Sequence, residues 1–188
     1  MSYLLICFGL LCLGLRGPVF AQVLLNASFD EAGSTSEEPV SWVRWGDGFK
    51  RVTDWQPIHS GLGQLGYDHG AVTQGGNCGI WQDVVGAQAG QKYRISVYLM
   101  ADKVEGANLP PESIELRLEC KDGEQDQLIE SNLIPLMTVP ADGKWHKLSV
   151  EGKTPKDSLR FLMVMNPLSD PNRGGKYRFD DISVELVP

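Results

Sequence analysis

The sequence predicts an all-β domain, an antiparallel β-sandwich or jelly roll. Three observations carry that reading. Apolar residues recur with period two in several short stretches, the spacing that puts alternate side chains on one face of a strand. Turn residues separate those stretches at short intervals. After Ala21 no apolar pattern keeps helical spacing for a dozen positions. Many short strands joined by Gly/Pro turns argue for two packed antiparallel sheets.

The chain begins with an apolar run over residues 4–15, shorter than the roughly 18–20 residues that cross a bilayer. Val19-Phe20-Ala21 follows, with small residues placed for signal-peptidase cleavage. The reading is a signal peptide over 1–21 and one domain over 22–188, exported to a secreted, periplasmic or cell-surface location. Val23-Leu24-Leu25 is a short strand candidate. Residues 31–78 are rich in Gly, Trp, Ser and Asp and read as long loops with short strands, where sandwich folds carry binding groups. Ile80–Val85 is the next short strand. Tyr93, Ile95, Val97 and Leu99 alternate with polar or mixed neighbours, as do Ile114, Leu116, Leu118 and Cys120, and then His146, Leu148 and Val150. Leu159–Met165 is apolar on nearly both sides, as a central strand should be.

The last strand candidate, Tyr177–Val187, breaks its own alternation. Tyr177 and Phe179 have one parity, Ile182, Val184 and Leu186 the other, and Asp180-Asp181 lies between. One extra residue in a β-bulge shifts the faces in this way. It also predicts Asp180 with the inward parity of Ile182, and an inward carboxylate needs a partner.

Composition bounds the partners. The chain of 188 residues has a formal net charge of −7. Loss of residues 1–21 removes Arg16 and no acid, so the mature charge is one unit more negative. An acidic surface repels nucleic acid and anionic lipid and is compatible with neutral ligands and divalent cations. Cys78 and Cys120 remain after cleavage, either as a disulfide or as two buried thiols. The sequence holds no H-E-x-x-H zinc motif, no G-x-S-x-G elbow and no phosphate loop, and its acids and three histidines are scattered. The expectation is a protein that is not an enzyme; a small glycosidase or polysaccharide lyase is the weaker alternative.

Several stretches, taken together and in order, resemble secreted carbohydrate-binding modules of the cellulose- and xylan-binding type, families four, nine, sixteen and twenty-two. They are Leu25-Asn26-Ala27-Ser28-Phe29-Asp30, Val40-Ser41-Trp42, Ile58-His59-Ser60-Gly61, Gly79-Ile80-Trp81-Gln82-Asp83-Val84, Gly90–Tyr98, Gly143–Leu148 and Tyr177–Leu186. The resemblance implies a galactose-binding-domain-like jelly roll and non-catalytic binding of a poly- or oligosaccharide. Possible partners are glycan-degrading or cell-surface proteins. It also implies a structural calcium ion between the first and last strands, carried over to Asp30 and Asp180. Calcium takes six to eight oxygens at roughly 2.3–2.6 Å. The alternatives for these carboxylates are an arginine, main-chain amides or simply a solvated edge.

Sugar sites place aromatic platforms beside hydrogen-bonding side chains. By parity Trp81 leaves the core side of its strand, and Tyr98, Arg117 and Glu119 occupy the non-core faces of theirs. A glycan-binding face is expected from Trp81, Tyr98, Arg117 and Glu119, with Trp55 and Trp45 on its rim. Trp42 is expected in the core and Trp145 in the core or at an edge. A structural or protein-interaction jelly roll without sugar binding is the rival reading.

Overall fold

The computed structural model describes residues 23–72, 76–102, 114–167 and 175–188; the expected signal peptide lies outside them. Among the described residues ten strands form two five-stranded antiparallel sheets packed face to face. They are β1 (Val43–Trp45), β2 (Phe49–Val52), β3 (Gln64–Asp68), β4 (Cys78–Asp83), β5 (Lys92–Asp102), β6 (Ile114–Lys121), β7 (Leu128–Pro135), β8 (His146–Lys153), β9 (Arg160–Pro167) and β10 (Lys176–Val187). The front sheet runs β1-β4-β9-β6-β7 and the back sheet β2-β3-β10-β5-β8. Among the described residues the only helical pieces are two short 3₁₀ turns, at His69–Ala71 and Leu136–Thr138.

The strands with the cleanest alternation sit where both neighbours are strands. Tyr93, Ile95, Val97 and Leu99 of β5 face the core without exposure, as do Leu116, Leu118 and Cys120 of β6. Strand β9 lies between β4 and β6, and both of its faces are buried: Phe161, Met163 and Met165 inward, Leu162 and Val164 outward. Its continuous apolar run follows from that placement. Trp42 is buried as expected, its ring 5.3 Å from that of Phe29. Val23 forms a single bridge to Val85, and no strand forms over Val23–Leu25.

The expected bulge is present. Asp180 pairs with Tyr98 and Ser183 with Ser96, so Asp181 and Ile182 together oppose Val97. Asp181 has φ 47, in the left-handed region, which turns the strand locally. The Ile182 amide, displaced from the ladder, donates to the Ala27 carbonyl at 3.0 Å and ties β10 to the N-terminal segment. The side of Asp180 differs from the expectation. It shares the face of Tyr98, opposite to the core residues Val97 and Leu99, yet has no exposure. Its burial comes from residues 55–63, which fold over the outside of the back sheet.

Cys78 and Cys120 are free and buried. They flank β9, opposite Met165 and Phe161 respectively. Four residues along a strand is about 13 Å, beyond the roughly 7 Å that a disulfide spans. Burial pushes both thiols up to about 12.

Candidate functional site

Segment 55–63 covers the outer face of the back sheet, and two residues expected in a sugar site, Trp55 in the segment and Tyr98 in the sheet, belong to this contact. Trp55 lies over Gly66 of β3, where a Cβ would meet the indole at 2.8 Å. The Lys176 ammonium stands 4.9 Å from the Trp55 ring centroid. Arg178 donates to the Pro57 carbonyl at 2.9 Å and pairs with Asp102. The His59 ring stacks on Tyr98, centroids 4.0 Å apart and planes at 22°, and Trp145 meets its edge at 5.1 Å. Trp55 and Tyr98 are therefore parts of a cover and its bed.

Beneath this cover His59, Asp180 and Asp181 bring a ring nitrogen and two carboxylate oxygens within 4.8 Å of one another. His59 Nδ1 contacts Asp181 at 2.5 Å, and the Ser60 hydroxyl donates to the other Asp181 oxygen at 2.6 Å. Asp180 accepts from the Ser60 amide at 3.1 Å and from the Asp181 amide at 2.8 Å. Burial pushes the Asp180 carboxyl up to about 7. The two amides and His59 oppose that rise, while the Asp181 charge adds to it.

Asp30 reaches the same turn from the N-terminal segment. Its carboxylate accepts from the Leu62 amide, from the Gly63 amide at 3.0 Å and from the Ser28 hydroxyl at 3.0 Å. Burial raises its pKa, but these bonds and the Arg51 charge outweigh burial and hold it below the usual value. Gly61, at φ +66, packs on this carboxylate so closely that any Cβ would overlap it.

The calcium expected on Asp30 and Asp180 does not match this donor set. Calcium takes oxygens, whereas the turn presents amide hydrogens to both carboxylates. Arg51 also donates to the carbonyls of Phe29 and Asp30, each at 2.7 Å. The group that does contain Asp180 includes a ring nitrogen and lacks Asp30.

The outer face of the front sheet gathers the other predicted residues. Register places Val43, Trp81, Leu162, Glu119 and Ser131 in one row across the five strands. The next row holds Trp45, Gly79, Val164, Arg117 and Leu133. Trp45 lies against Gly79, in space that any Cβ there would occupy. The glycine is thus what lets the indole rest on the strand. Arg160 stands 3.8 Å from the Trp81 ring centroid and is held there by Asp83 at 2.7 Å. One face of Trp81 is therefore capped by a guanidinium. Arg117 and Glu119 form an ion pair at 3.4 Å, with Glu119 only 8 % exposed.

The structure thus splits the expected binding set. Trp81, Arg117 and Glu119 share the front face, while Tyr98 and Trp55 belong to the back sheet and its cover. The single face expected to carry Tyr98, Arg117 and Glu119 does not exist, because the chain changes sheets between β5 and β6. His59 was legible only as part of a turn motif, and Trp45 only as a rim residue. The role of Arg160 had one signal, a lone cation in the apolar run 159–165.

The architecture defines the class as an antiparallel jelly-roll sandwich. Comparison with solved structures agrees. TmCBM61 in complex with β-1,4-galactotriose is 14% identical, with 89% of this chain and 100% of that chain covered, at a TM-score of 0.61. A cyclase from Fischerella sp. TAU is 16% identical over 89% of this chain and 98% of its own, at 0.63. The CBM22-1–GH10 modules of Clostridium thermocellum xylanase 10B, complexed with xylohexaose, are 15% identical, covering 89% of this chain and 28% of that one, at 0.51. At these identities the likeness shows a shared fold. No family model and no curated protein sequence matches the chain.

Proposed function

We propose that this domain is a non-catalytic glycan-binding module that holds a poly- or oligosaccharide on the outer face of its front sheet. The observation that carries the reading is the Trp45–Gly79 pair. A side-chain-free position on an outer sheet face lets an indole lie along the strand, which is how a sugar ring's C–H face is met. Trp81 stands in the adjacent row as a wall braced by Arg160. Arg117, 29 % exposed and anchored by the buried Glu119, supplies donors beside the platform. The buried Leu162 and Val164 form a rigid floor between them. The sugar complexes of TmCBM61 and of the xylanase modules support the assignment by analogy of fold.

The expected chemistry is stacking and hydrogen bonding, with no bond made or broken. A glycan array followed by calorimetry on the best hit tests it. Binding that falls at least tenfold in Trp45→Ala and Arg117→Ala supports the reading. An array without hits, or hits indifferent to both variants, refutes it and favours a structural or protein-interaction role.

A further inference from the structure

We propose that this domain is closed by a cation built into its own chain, the Arg51 guanidinium, acting with main-chain amides where the family resemblance implies calcium. Arg51 holds the N-terminal segment through its carbonyls, the Leu62 and Gly63 amides tie Asp30 to the turn 60–63, and the Ser60 amide ties that turn to Asp180 of β10.

The main-chain amides aimed at Asp30 and Asp180 disfavour a metal shared between these two carboxylates. Leu62 and Gly63 aim N–H groups at Asp30, and Ser60 aims one at Asp180. A divalent ion seated among these groups would meet the positive ends of those dipoles. Several carbonyl oxygens of the N-terminal segment already accept hydrogen bonds. Arg51 takes those of Phe29 and Asp30 at 2.7 Å and that of Ser36 at 3.3 Å. The Ile182 amide takes that of Ala27. Arg51 is 9 % exposed, so its charge is spent on this closure. It is fixed by its neighbours as well, since a Cβ on Gly63 would stand 2.9 Å from its Nη2 and 3.0 Å from its Nε. His59, the nitrogen donor nearest Asp180, directs Nδ1 to Asp181. A planar fork with five donors can bind several carbonyls at once, which a small surface ammonium cannot.

The experiment is thermal unfolding of the full domain after exhaustive EDTA treatment, with and without millimolar calcium chloride, beside Arg51→Gln. The expected result is the same Tm in EDTA and in calcium. Calorimetry should show no calcium binding tighter than millimolar. Arg51→Gln should lower Tm by about 10 °C, the shift that a loss of one or two buried charged hydrogen bonds gives a domain of this size. A Tm that drops in EDTA and recovers with calcium would overturn the proposal, as would Arg51→Gln melting like the parent. If Arg51→Gln fails to fold, the EDTA and calcium arms on the parent still decide. None of these readouts involves a glycan, so they are independent of the function proposed above.

Discussion

Asp180 makes the stability of this domain depend on pH in a direction opposite to that of most carboxylates. Its pKa rises from the ordinary 3.8 to about 7 on folding, chiefly through burial. The folded state therefore holds a proton that the unfolded chain has released between those values. Stability from this group falls as pH rises from about 4 through about 7, and is level beyond. The full shift is roughly three units at ~1.4 kcal/mol each, so the charged carboxylate costs the fold on the order of 4 kcal/mol above pH 8. Between pH 5 and pH 8 about 3 kcal/mol of that appears. The assay is urea unfolding of the parent and of Asp180→Asn at the two pH values. Asparagine keeps an acceptor for the Ser60 amide and does not titrate. The parent should lose about 3 kcal/mol more than the variant on going from pH 5 to pH 8. Equal losses in both proteins would show that Asp180 is ionised throughout, and the reasoning from its burial would fail.

Other outcomes follow from residues already described. Gly79→Ala should weaken glycan binding as Trp45→Ala does, by roughly tenfold or ~1.4 kcal/mol, because the added carbon displaces the Trp45 ring; calorimetry and circular dichroism together separate this from unfolding. Phe29→Ala should destabilise the domain by about 3–5 kcal/mol in urea unfolding, since its unexposed ring packs on Trp42 inside the core. A loss below 1 kcal/mol would contradict that packing. Cys78 and Cys120 should not react with a disulfide reagent at pH 8 in the native domain, and both should react in denaturant, because burial holds each thiol near 12. Rapid native labelling at either position would refute it.

The clearest strands, β5, β6 and β9, have strands on both sides, and the edge strand β8 was legible too because Leu148 and Val150 face the core. Strand β5 showed its alternation because every second side chain meets the core, and β9 showed an unbroken apolar run because both of its faces are covered. Strand β7, also at the end of its sheet, escaped notice because its side chains are mostly exposed on both faces. Leu128 and Leu133 are exposed there, and Asn132 donates sideways to Ser149 of β8, so no clean pattern remains. Strands β1 to β3 were hidden among glycines whose purpose is to admit rings, as Gly66 admits Trp55. Parity revealed the bulge at Asp181 but not the side on which Asp180 is buried, because a covering loop leaves no period in the strand beneath it. The same limit split the binding set: parity says that Tyr98 and Arg117 both leave the core, and is silent on which sheet each strand joins.

The position of β10 bears on how the domain is made. It lies in the middle of the back sheet, with β3 on one side and β5 on the other. A ribosome releases residues 176–187 only after the nine other strands described above. Until then β2-β3 and β5-β8 are two separate ribbons with open edges, and the outer turn has no Asp180 to rest on. The fold must therefore wait for its last strand and then pair Leu65 with Phe179 across most of the chain, a slow and non-local event. Such a domain gains its full set of strand pairings only at the end of its synthesis.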